Sequence, residues 1–135
     1  MSLGGKTIER GFSIEADEPP GLLGGDHAAN PQELLLAALN ACMTVGYVAN
    51  AAARGITLDS LQICSRGRLD LRGFLDLDAA VPPSYETVEV EVLVRSRADP
   101  AALHELHAHV LKTSPNFNNF ARPIVMKATL HTQSA

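Results

Sequence analysis

The 135-residue sequence is poor in cysteine, in aromatic residues and in positive charge. It has two cysteines, Cys42 and Cys64. That is too few for a disulfide scaffold, and no Cys-x-x-Cys step is present to hold zinc. Tryptophan is absent and aromatics are only 4 %, so the core must be built from Ala, Leu, Val and Ile. Eleven Lys and Arg stand against fifteen Asp and Glu, a formal charge of −4, which argues against nucleic acid as a partner. No unbroken apolar run approaches the ~20 residues of a membrane span, and no signal-like segment precedes the first strand pattern. The expectation is a protein of the cytoplasm, with both thiols reduced, no metal and no cofactor. Met1 to Gly5 reads as a start or cloning remnant.

What is present suits a core. Hydrophobic residues make up 46 % and charged residues 19 %, and the length fits one domain over 1–135. Residues 7–16 place Ile8, Phe12 and Ile14 on one side of an extended pattern, which predicts a first strand. Pro19-Pro20 and Gly24-Gly25-Asp26 mark a loop. Asn30 is a suitable N-cap with Pro31 at the first helical position, and Gly55 is a stop; a helix is expected over 31–54, about 24 residues and roughly 36 Å long. It is apolar on nearly every side, which predicts burial all round and a partner subunit to complete it. Ala37, Ala38, Ala41, Gly46 and Ala49 would let another backbone approach. A strand is expected within 57–71, a turn-rich connection over 72–85, and a half-buried strand over 87–95, where Val88, Val90, Val92 and Val94 alternate with polar residues. Asp99-Pro100 opens a second helix, which ends before Ser114-Pro115. Residues 124–131 read as a final strand. The order predicts an α+β fold with an antiparallel or mixed sheet packed on the helices.

The stretch from Pro31-Gln32-Glu33-Leu34 to Cys42 resembles the signature of the OsmC-like family. That signature is a Pro-x-Glu-Leu helix start followed, nine residues after the Glu, by a reactive cysteine. Residues 67–78, Val81-Pro82-Pro83, Asp17-Glu18-Pro19 and Gly24-Gly25 resemble one branch of that family, and the likeness runs from about residue 8 to 130. It implies an intertwined homodimer with the long helices at its centre. For catalytic members it implies reduction of organic hydroperoxides and peroxide by a cysteine pair, assisted by an Arg and a Glu. Carried over, Cys42 takes the attacking position, Glu33 the carboxylate position and Arg10 the arginine position. Ser114, in Ser114-Pro115, stands where the second cysteine of a Cys-Pro step is expected.

Each assignment has a plainer alternative. Cys42 could be an inert thiol packed as a small hydrophobe, Arg10 a solvated strand charge, Glu33 a carboxylate favoured by the helix dipole, and Ser114 a turn cap. A thiolate in mid-helix needs a nearby cation such as Arg10. Nine steps of ~100° put Glu33 and Cys42 on opposite faces of one helix, so a shared site would take Glu33 from a partner helix. Cys64 could replace the missing thiol only within ~7 Å Cα to Cα of Cys42. His104 and His107, with His109 beyond, have no companion ligands and read as a solvated helix face. Gly24-Gly25 lacks the third glycine of a dinucleotide loop, and Asp26 and His27 belong to no serine triad. The leading expectation is a hydroperoxide reductase working with Cys42 alone and an external thiol reductant. The alternative is a non-catalytic relative that binds a small apolar ligand at the dimer interface.

Overall fold

The computed structural model describes residues 2–3, 6–7, 9 and 11–133. Its contacts divide the chain into two compact units, 1–35 and 36–135.

In the first unit, strands β1 (Ser2–Leu3) and β2 (Lys6–Thr7) pair antiparallel. Ser2 and Leu3, set aside from the sequence, thus pair with Thr7 and Lys6. Of the strand expected over 7–16, Thr7 lies in β2, whereas Glu9 and residues 11–16 have no regular structure, and Ile14 is exposed. Ile8 and Arg10 lie outside the described residues. The loop that follows is organised by Asp17. Its carboxylate accepts the backbone N–H groups of Glu18, Gly25 and His27 at 2.8–3.0 Å. These bonds, that from His27 first, hold Asp17 below the usual carboxylate range. Gly24 is obligatory here, because a Cβ would stand 1.7 Å from the Glu18 carbonyl oxygen. The loop ends in a capping box. The Asn30 side chain accepts the Glu33 N–H and the Glu33 carboxylate accepts the Asn30 N–H, both at 2.9 Å.

That box starts helix α1 (Pro31–Ala53), close to its expected bounds. Within one chain its burial is one-sided. Within this one chain only Leu39, Met43, Tyr47 and Ala51 are buried, a stripe repeating every four residues. Val45 and Val48, on other sides, are 68 % and 56 % exposed. By length and composition alone α1 could cross a membrane, contrary to the expectation that no segment approaches such a span. Its inward stripe, however, joins Leu106 and Val110 in the hydrophobic core, as a core helix does.

The rest of the second unit packs on that stripe. Strands β3 (Ser60–Gly67) and β4 (Val88–Arg95) pair antiparallel with Ile63 opposite Val92 and Cys64 opposite Glu91. Leu61, Ile63, Val88, Val90 and Val92 turn toward the core, whereas Leu93 is 52 % exposed on the other face. The strand expected within 57–71 stops at Gly67 because Asp70 caps a one-turn helix α2 (Leu71–Phe74), accepting the Arg72 N–H. Helix α3 (Pro100–Thr113) begins as expected, with Asp99 accepting the Ala101 N–H. A further helix, α4 (Pro115–Ala121), was not anticipated. No strand forms over 124–131; Val125 and Leu130 are each 86 % exposed. Apolar alternation supplies one face of a strand but not the edge it must pair with, and among the described residues this segment joins neither two-stranded sheet.

Candidate active site

The sequence places Cys42 one turn beyond Leu39 on α1, half-buried at the margin of the inward stripe. Its sulfur lies 3.4 Å from the Ser114 hydroxyl, within hydrogen-bonding range, and either group can donate. Ser114 is 4 % exposed and sits at the corner between α3 and α4, ending one helix and capping the next. Pro115 forces that corner, because the residue before a proline avoids the helical region. Three local bonds fix it. The Ser114 N–H donates to the Val110 carbonyl at 2.8 Å, the hydroxyl accepts the Phe117 N–H at 3.3 Å, and the Asn118 side chain donates to the Ser114 carbonyl at 2.9 Å. Asn116 ties the corner to α1 by donating to the Ala38 carbonyl at 2.9 Å. One side chain thus caps the turn and also stands within hydrogen-bonding distance of the thiol. With the hydroxyl oxygen already accepting from Phe117, its hydrogen is available to the sulfur. Against a thiolate, the hydroxyl is the only possible donor of the pair.

Cys64 stands elsewhere. Side chains alternate along a strand, and on β3 Leu61 and Ile63 face the core while Ser65 reaches back to α1, its hydroxyl 2.5 Å from the Asn40 amide oxygen. Cys64 therefore points to the opposite face, beside Gln62, whose amide lies 3.9 Å from its sulfur. Within one chain it cannot meet Cys42 across the sheet. Glu33 is exposed and occupied by its capping box at the helix start, and Arg10 is outside the described residues. Of the four residues singled out, the structure brings Cys42 and Ser114 together.

Sequence reasoning missed one polar pair. His107 does not lie on a solvated face: it is half-buried, and its Nδ1 hydrogen-bonds the hydroxyl of the buried Tyr47. Burial also raises the Tyr47 pKa. The spacing of buried positions offered a signal, since Tyr47 follows Leu39 and Met43 in the same stripe and a buried phenol needs a polar partner. His104 is exposed, and among the described residues no cluster of His, Cys, Asp and Glu could hold a metal ion. A pocket of about 200 Å³ opens between α1, α4 and β4, lined by Leu39, Val90, Phe117 and Phe120 together with Glu86 and Thr87.

A lone thiol on the core helix of an α+β domain, held against the corner of two later helices, defines the class of protein. The family model described as OsmC-like protein matches residues 24–129, and the chain belongs to that family. Solved structures share the fold. An OsmC-like protein from Mycoplasma pneumoniae superposes with a TM-score of 0.71 at 20 % identity, over 84 % of this chain and 76 % of that one. An OsmC-like protein of unknown function from Vibrio cholerae gives 0.62 at 20 % identity, over 80 % and 71 %. An organic hydroperoxide resistance protein OsmC from Legionella pneumophila gives 0.52 at 20 % identity, over 79 % and 72 %. No curated protein sequence matches the chain.

Proposed function

We propose that the protein reduces organic hydroperoxides or peroxide through Cys42 alone, with a small thiol from solution completing the cycle. The observation that carries this reading is the 3.4 Å contact between the Cys42 sulfur and the Ser114 hydroxyl; the family resemblance puts the second cysteine of a catalytic pair at position 114. The Cys42 thiolate attacks one oxygen of the peroxide bond. The S–O bond forms, the O–O bond breaks, and the alcohol leaves with a proton, so that Cys42 becomes a sulfenic acid. An external thiol then displaces water to give a mixed disulfide, and a second thiol releases Cys42 with formation of the external disulfide. The Ser114 hydroxyl donates to the thiolate and cannot form the disulfide a cysteine would.

Arg10 as the cation beside the thiolate and Glu33 as the carboxylate orienting it rest on the family resemblance. Glu33→Gln keeps the capping box, since glutamine serves the same place. It is expected to lower peroxide reduction while leaving thermal unfolding unchanged. The reading includes a homodimer in the reducing environment of the cytoplasm. It is supported by the exposed apolar face of α1 at Val45 and Val48 and by the exposed apolar segment over 124–130. Sedimentation at several concentrations tests it, with a species of one-chain mass throughout as the adverse result.

The deciding experiment is titration of Cys42 with and without an organic hydroperoxide. Loss of one thiol equivalent, restored by added reductant and absent in Cys42→Ser, is expected. Retention of the thiol would overturn the reading. The pocket lined by Phe117 and Phe120 favours a second reading, a non-catalytic protein that takes a small apolar ligand. It predicts ligand recovered from the native protein and no thiol turnover with any reductant.

A further inference from the structure

Two side-chain contacts join α1 to α3 and its C-terminal corner, Cys42 with Ser114 and Tyr47 with His107, and between them Gly46 faces the Val110 side chain. As the numbers rise on α1 they fall on α3, so the helices run antiparallel. The contacts at 42/114 and 47/107 are polar, and the one between them is not. A Cβ on Gly46 would stand 3.2 Å from Val110 Cγ1, so the absence of a side chain there lets Val110 seat between the two polar ties.

We propose that Tyr47 and His107 are positioning residues for the Cys42 thiol: their hydrogen bond sets the register of α3 against α1, and that register sets the reach of the Ser114 hydroxyl to Cys42. Tyr47 lies five positions from Cys42 and His107 seven from Ser114, about 7.5 and 10.5 Å along their helices. Ser114 N–H is bonded to the Val110 carbonyl as the last link of α3, so the corner travels with the helix. At 3.4 Å the sulfur–hydroxyl contact has little slack; a slide of ~1 Å breaks it, and displacements of that size cost up to ~10²-fold in reactive geometries. The opposing tie is Asn116 to the Ala38 carbonyl. If that bond alone held the corner, Tyr47 and His107 would be ordinary packing. The inference rests on the Cys42–Ser114 pair being the working site, but its test does not require peroxide.

In a Cys64→Ser background one S–H infrared stretching band remains, and it reports the environment of Cys42. Ser114→Ala is expected to move that band toward the free-thiol position. Tyr47→Phe, which keeps the ring in the core, is expected to move it likewise, and the double variant no further than either alone. His107→Ala should reproduce the shift, whereas His107→Asn, which can keep a polar atom near the Nδ1 position, should restore the original band. Peroxide-dependent oxidation of Cys42 should fall by about 10- to 100-fold in Tyr47→Phe. The proposal is overturned if Tyr47→Phe and His107→Ala leave the band where it was, if the two shifts add, or if Ser114→Ala moves nothing. A wild-type thiol that ignores peroxide while the band responds as expected would sink the proposed function and leave the positioning role standing.

Discussion

Cys42 and Cys64 are both half-buried, yet their surroundings have little in common. Cys42 rides on a helix at the edge of the core, and its neighbour is a buried hydroxyl whose place is fixed by two helices. Cys64 rides on a strand, faces away from that core, and has Gln62 and Glu91 on its side of the sheet. Fractional exposure does not separate them. What does is whether the group opposite the sulfur is rigidly held and able to donate a proton.

The sharpest way to break this contrast is to remove each sulfur. Cys42→Ser is expected to lower peroxide reduction by on the order of 10³-fold or more, the usual scale for a lost nucleophile, while Cys64→Ser should stay within about twofold. Equal losses in a coupled peroxide assay would erase the distinction. A second approach restores what the corner lacks. With the sulfur and hydroxyl already 3.4 Å apart, Ser114→Cys should close a disulfide with Cys42 on peroxide treatment, seen by non-reducing mass spectrometry as loss of two hydrogens. Cys64 should remain alkylatable in that variant.

The packing around the two sites should differ as well. Leu39→Ala, one turn before Cys42 in the buried stripe, should cost about 2–5 kcal/mol in denaturant unfolding. Leu93→Ala, on the sheet face that carries Cys64, should stay within about 0.5 kcal/mol. The smallest effect is expected beyond β3. Hydrogen bonds from the Arg72 side chain, and then from its backbone N–H, hold the exposed Asp70 down from 3.8 to about 2. A depressed carboxylate contributes stability above its ordinary range and loses it as pH falls through the folded value. Acid unfolding of Asp70→Asn should therefore show a shallower slope between about pH 4 and 2 than wild type; an identical slope would remove Asp70 from the account.

Much of this was legible in the sequence because the signals are local. Asn30-Pro31 and Asp99-Pro100 name helix starts through bonds that reach three and two positions ahead, and four alternating valines name a strand. Cys42 and Ser114 were singled out by resemblance, but their meeting was not legible. It depends on the register of two helices that bring together residues 72 positions apart in sequence. The Tyr47–His107 bond was hidden for the same reason, and a helical histidine with no visible partner was read as solvated. The segment over 124–131 failed in the opposite way: its local pattern is that of a strand, and a strand is not a local object.

The outward turn of Cys64 has a kinetic consequence. A second thiol on the same chain would close its disulfide at a rate independent of anything outside, because linkage confers a high effective concentration. Under the proposed single-cysteine cycle the oxidised sulfur waits for a molecule from solution. On the proposed chemistry its lifetime scales inversely with the surrounding thiol concentration, and the cycle slows as that pool is drained. Sulfenic acid left waiting in excess peroxide proceeds to the sulfinic state. The protein would work while reductant is abundant and retire itself when it is not.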